Sequence, residues 1–176
     1  MDENEKNCWV EASIREIWTQ AHFAEISYKN IKMKSATPTD TAFTSIHSFL
    51  SHCAMLSKLL KSKYQCESGE VISIDVILGI NATSVIHKRR FRNHLEHYDE
   101  RLKVWVKKFA SGKSIGTYNI GSKPQLDDGN MIFVSHYDPE TNIYTFVDED
   151  IDLEELYAEA LVIREAADAW VSEYTS

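Results

Sequence analysis

The chain has little of what builds a secreted or membrane protein. Its three cysteines (Cys8, Cys53, Cys66) are an odd number with no Cys-x-x-Cys pair, which argues against a disulfide framework and a cysteine-based zinc site. Three prolines and six glycines in 176 residues exclude collagen-like and Pro/Gly-rich disordered classes. The longest uncharged, mostly apolar stretch, 76–86, is interrupted by Gly79, Asn81, Thr83 and Ser84, so nothing reads as a bilayer span. The opening MDENEKN carries three acids and no apolar run, the opposite of a secretory signal or an Arg-rich transit peptide. A cytoplasmic location without membrane contact is expected.

What is present is ordinary globular material, 43% hydrophobic and 26% charged, at a length that suits a single domain over 1–176. The charge is uneven. Residues 88–113 hold nine Lys/Arg against three acids, residues 114–176 hold two against fourteen, and the whole chain sums to −8. An acidic chain with one basic segment is a poor candidate for sequence-blind binding to long DNA. A local cluster can still hold a phosphate, because screening leaves charges effective within about 10 Å.

Four segments space apolar residues alternately by three and four, the signature of helices with one buried stripe. The first runs Val10, Ile14, Ile17, Ala21, Ala24, Tyr28, Ile31; the second, after Pro38, runs Phe43, Ile46, Leu50, Cys53, Ser57, Leu60. The third runs Phe91, Leu95, Tyr98, Leu102, Trp105, Phe109, and the fourth follows a capping pair, Asp152 and Glu155, down to Tyr174. SIDVILG predicts a short helix stopped by Gly79. Residues 110–130, with four of the six glycines, read as a long loop. MIFVSHY and IYTFVDE flank the turn-formers of DPETN and predict a β-hairpin. The expected fold is mainly all-α: an up-down four-helix bundle, with a loop and β-hairpin inserted at about 110–149 between its third and fourth helices.

Several constellations fail on inspection. The GKS at 112–114 lacks the glycine that a phosphate loop needs five positions earlier, where Lys107 stands. No histidine has a Glu three residues before it, so a di-iron bundle site is excluded, and the His94/His97 pair alone is a thin basis for zinc. No metal and no cofactor are expected.

The informative stretch is RNHLEHYDER, from Arg92 to Arg101. On a continuous helix at about 100° per residue, Arg92, Glu96, Glu100, Asn93 and His97 point away from the apolar stripe, with Arg92 and His97 about 140° apart. His87 and His94 fall beside the stripe, where a buried, hydrogen-bonded histidine is expected. Phosphodiester cleavage needs few groups. An imidazole titrating near neutrality can move the proton of the ribose 2′-OH or of the departing 5′-oxygen, and a guanidinium matches the charge building on the phosphoryl oxygens. One copy converges such widely set groups poorly, whereas two helices facing across a symmetric dimer interleave them.

Arg92-Asn93-x-x-x-His97 resembles the R-x4-6-H motif of the HEPN superfamily, α-helical bundles that dimerise and, in their active members, cut RNA without metal. From about residue 79 to 161, the segments FRNHLEHYDERL, YNIG, HYDPETNIYTF and DLEELYAEA also look like a family of small bacterial proteins. The resemblance implies phosphate contact for Arg92, acid/base work for His97, and orientation of the phosphate or of the partner histidine for Asn93. It implies a supporting role for Glu96, paired with Arg92 or Arg101 or tuning His97. It further implies a homodimer, an RNA substrate, a protein partner such as an antitoxin, and a stress, toxin or phage-defence setting. Two competing classes remain open. One is a non-catalytic interaction and dimerisation module; the other is a small-molecule or nucleotide binder using the 110–130 loop and the hairpin.

Overall fold

The computed structural model describes residues 3–33, 39–67, 69–88, 97–122 and 131–174. Three long helices form one layer: α1 (Glu3–Met33), α2 (Thr39–Leu60) and α5 (Leu153–Tyr174). Every apolar residue of the first two stripes is buried, as are Leu153, Leu156, Ala160, Ile163 and Ala167 of α5. Alanines at 21, 24, 160 and 167 are buried in this layer. Tyr28 of α1 and Tyr157 of α5 stack at 4.0 Å between ring centroids. Asp152 caps α5 as its spacing predicts, its Oδ1 accepting from the backbone N–H of Glu154 and Glu155 at 2.9 Å each.

Between α2 and the rest lie a small antiparallel pair, β1 (Lys63–Gln65) and β2 (Val71–Ser73), and the one-turn helix α3 (Ile74–Ile77). Gly79 ends that segment at φ +64°, a conformation that disfavours a side chain. A 3-10 turn at Val85–His87 follows.

The four-helix bundle is not what forms. The third predicted helix is described only as α4 (Tyr98–Phe109), and it lies against the end of a sheet rather than in the helical layer. Tyr98 packs on Phe146 at 4.7 Å, and Arg101 reaches Glu149 at 2.6 Å. The sheet has four strands in the order β3 (Ser114–Ile120), β4 (Met131–Asp138), β5 (Ile143–Phe146) and β6 (Glu149–Asp152). The predicted hairpin is β4–β5, antiparallel, with Ser135 opposite Phe146. The region read as a loop contains β3, which pairs parallel to β4, with Ser114 opposite Met131 and Tyr118 opposite Ser135. The result is a mixed α/β fold in which a helical layer packs on a sheet.

Physical reasons for the difference are local. β3 is an edge strand whose side chains are mostly exposed, so it carries no alternation of buried and exposed residues to read. Gly116, which argues against a strand in the sequence, is required there: a Cβ would fall 2.4 Å from the Phe133 ring on the neighbouring strand. The third stripe is apolar because Trp105 seats on the sheet end, where it is 5% exposed, while Tyr98 and Phe109 stay partly in solvent.

The β4–β5 turn ties the layers together. Asn142 stands at φ +57° and is buried. Its Oδ1 accepts from Lys32 Nζ of α1 at 2.5 Å and from Tyr137 Oη at 3.1 Å, and its Nδ2 donates to Glu154 Oε2 of α5 at 2.9 Å. Its carbonyl accepts from Leu153 N at 3.1 Å. Asp138 closes the other side of the turn by accepting from the N–H of Glu140 at 2.9 Å. Asn142→Ala removes three side-chain hydrogen bonds, one buried and two partly buried, and leaves a residue with a Cβ but no compensating side chain at positive φ. It is expected to cost about 2–4 kcal/mol in urea unfolding, with Asn142→Gly recovering part of that by relieving the backbone.

Candidate functional site

His97 is the one residue of the predicted catalytic set within the described chain. Arg92, Asn93 and Glu96 lie outside the described residues, as do Phe91, His94 and Leu95. His97 is the N-cap of α4, at φ −126° and ψ 34°, so it precedes the helix instead of sitting on one of its faces. The angular separation calculated for Arg92 and His97 on a continuous helix therefore does not carry over to this backbone. The His97 side chain is 55% exposed, and its Nδ1 lies 3.6 Å from Glu100 Oε2, one turn into α4. A carboxylate at that distance helps to orient the ring.

Arg101 is committed elsewhere. Its guanidinium lies 2.6 Å from Glu149 Oε2 and 3.9 Å from Asp148 Oδ1, with only a quarter of the side chain exposed. It fastens α4 to the β5–β6 turn.

Sequence spacing could not show what surrounds this end of α4. Tyr98 follows His97 directly and is 43% exposed. Tyr118 of β3, 38% exposed, stacks on Phe43 at 4.4 Å and meets the His47 ring edge-on at 6.2 Å. Tyr144 Oη, beneath them, lies 3.4 Å from His47 Nε2 and 3.2 Å from Ser135 Oγ. Burial pushes the Tyr144 phenol up to about 12 and raises that of Tyr98. Tyr118, Ser135, Tyr144 and Phe146 share the sheet face turned toward α2, because the strand registers place them together. Only the alternation in MIFVSHY and IYTF hinted at such a face.

Two further histidines, His52 and His87, have defined surroundings. His52 Nδ1 is 2.7 Å from Gln20 Oε1, and its ring packs on Phe23, which places it on the α1–α2 surface. His87, expected to be buried and hydrogen-bonded, has both ring nitrogens buried with no hydrogen-bond partner among the described residues. Its backbone carbonyl accepts from Lys61 Nζ at 2.9 Å. Among the described residues no cluster of His, Cys, Asp or Glu is arranged to hold a metal ion, and no helix is long and apolar enough to cross a membrane.

Burial lowers the proton affinity of His47, His52 and His87, with Lys61 adding to the effect at His87. The unfolded chain takes up these protons near the ordinary value of 6.5, whereas the folded chain does so only at lower pH. Unfolded molecules therefore bind more protons in that window, and stability falls as pH drops below about 6.5. Thermal melts between pH 7.5 and 5 should show this loss, and His47→Phe should make it shallower; a parallel curve for that variant would remove His47 from the account. Comparison with protein-family models, with curated proteins and with solved structures found no match to this chain.

Proposed function

We propose that the chain is a metal-independent endoribonuclease of HEPN type, acting in the cytoplasm as a homodimer, with His97 as its acid/base group. The observation that carries this reading is an exposed imidazole at the start of α4, 3.6 Å from a carboxylate and followed at once by the exposed ring of Tyr98. An imidazole can both accept and donate a proton through its ring nitrogens, which suits it to the 2′-OH or the 5′-oxygen of a phosphodiester. The partly exposed tyrosines at 98 and 118 suit contact with unpaired bases. Lys103, Lys107 and Lys108 place positive charge along the same helix. By the resemblance, Arg92 and Asn93 contact and orient the phosphate. Attack by the 2′-OH on phosphorus expels the 5′-oxygen, leaving a 2′,3′-cyclic phosphate and a 5′-OH. The stress, toxin or defence setting and an antitoxin-like partner belong to the same proposal.

Incubation of the full chain with a mixed structured RNA in EDTA tests it. Cleavage to 5′-OH ends is expected, falling at least about a hundredfold in His97→Ala and in Arg92→Ala while both variants stay folded and dimeric. Absence of cleavage by the wild type, or equal cleavage in all three, would overturn the proposal.

A second reading, a non-catalytic dimerisation module, is favoured by Val104 and Val106, which are 66% and 38% exposed on α4 beside its buried Trp105. A helix with apolar side chains outside its packed face suits a partner surface. Under that reading Val104→Asp shifts the protein to monomer in sedimentation, while RNA is untouched by every variant. Retention of the dimer would count against α4 as the interface.

A further inference from the structure

The outer face of the helical layer carries apolar rings where a solvated helix carries charge. α1 is the middle helix of the layer. Its Glu25 pairs with Arg164 of α5 on one side, and its Phe23 ring meets His52 of α2 at 5.5 Å on the other. Opposite its buried stripe, at about 100° per residue, α1 carries Trp18, His22, Phe23 and Ile26. Trp18, Phe23 and Ile26 are 37%, 43% and 44% exposed, and Met55 of α2, three residues from His52, is 42% exposed. The Trp18 and His22 rings stack at 5.3 Å, and His22 lies 6.2 Å from Phe23. From Thr41 to Ser57, α2 has no Lys, Arg, Asp or Glu, although Thr44, Ser48 and Ser51 face solvent with Met55. An apolar centre on a surface depleted of charge is the anatomy of a protein interface.

The charges that flank this centre identify the partner, because they are antisymmetric about Gln20. Nine residues before it stands Glu11, and nine after it Lys29; five before it is Arg15, and five after it Glu25. Within the helix Arg15 pairs with Glu11 at 2.8 Å and Lys29 with Glu25 at 2.7 Å. A second α1 laid antiparallel, with Gln20 level with its own copy, brings Glu11 to Lys29 and Arg15 to Glu25 at both ends. Trp18 of each copy then meets His22 of the other. At that register the copy's Ile26 arrives one residue from Arg15, at a cleft of about 470 Å³ lined by Arg15, Trp18 and Thr19 with Asp168 and Val171 of α5. A parallel placement in register would set like charges together. Two chains of net charge −8 repel overall, so they meet most readily where facing charges are absent or opposite. From Glu11 to Lys29 the helix is about 27 Å long, and three helices about 10 Å apart make a face about 30 Å wide. That is about 800 Å², the area per partner of a stable interface.

We infer that this face is a self-association surface: two copies of the chain meet across a two-fold axis at Gln20, with their α1 helices antiparallel and Trp18, Phe23 and Ile26 covered. It assigns a face to the homodimer without using His97 or any residue of α4, so it stands whether or not the chain cuts RNA.

Sedimentation velocity of the full chain, from about 1 to about 100 μM, tests it, and a dimer is expected for the wild type. Ile26→Glu places a carboxylate in the seam and should weaken the dimer at least about tenfold, with helical circular dichroism unchanged. Glu11→Lys turns a like charge on Lys29 of the copy and should weaken it at least about threefold, since the symmetry counts the change twice. Adding Lys29→Glu to Glu11→Lys reverses both members of the pair and should bring the dimer back toward wild type, a rescue that a contact within one copy would not give. Val104→Asp on α4 should remain dimeric. A monomeric wild type overturns the inference and leaves the face to a different protein. So does Ile26→Glu as dimeric as wild type, a double variant no tighter than Glu11→Lys, or a monomeric Val104→Asp.

Discussion

The fold depends on one buried amide. Asn142 ends the β4–β5 turn, and its side chain spans α1, β4 and α5 through Lys32, Tyr137 and Glu154. Glu154 is also taken by Tyr28, whose ring stacks on Tyr157, so the amide network and the aromatic contact between α1 and α5 share a carboxylate. Each member alone is an ordinary hydrogen bond of modest net worth. Together they leave the hairpin one way to lie on the helices, because shifting the turn by one residue strands several polar groups at once.

Charge is managed in the same internal manner. The sequence separates a segment of +6 at 88–113 from one of −12 at 114–176. In the folded chain Lys88 approaches Glu155 at 3.9 Å, and Arg101 joins Glu149 and Asp148. The exposed pair contributes little in salt. Arg101 matters more, because it is largely covered and holds α4 where Trp105 can seat. Lys103 and Lys107 remain on the outer side of α4, so the basic segment divides between binding its own chain and facing solvent.

Those two constraints position everything argued for function. Docking α4 on the sheet end sets His97 and Tyr98 at the edge of the His47, Tyr118 and Tyr144 face and buries Trp105. Val147, buried in the β5–β6 turn, stands at φ +63°. The same short helix thus begins at an exposed imidazole and is anchored by a buried indole.

The periodicity of Val10 to Ile31, of Phe43 to Leu60 and of Leu153 to Ala167 determined the helical layer, because a three-and-four spacing buries one stripe whatever it packs against. Asp152, Gly79 and the DPETN turn were legible for a similar reason: caps and turns are decided by a few neighbouring residues. Residue type alone also singled out His97 as a candidate. Long-range pairing was not legible. The third stripe specifies an apolar face without saying that its partner is a sheet, and β3 is held by hydrogen bonds to β4 that leave no mark on its own side chains. Arg101 reads as a surface cation until Glu149 is brought beside it, and His47 reads as a helix residue until Tyr144 arrives from nearly a hundred residues away. Local backbone preference and burial period are written in consecutive residues; which surfaces meet, and which side chains they enclose, was decided only when the tertiary structure closed.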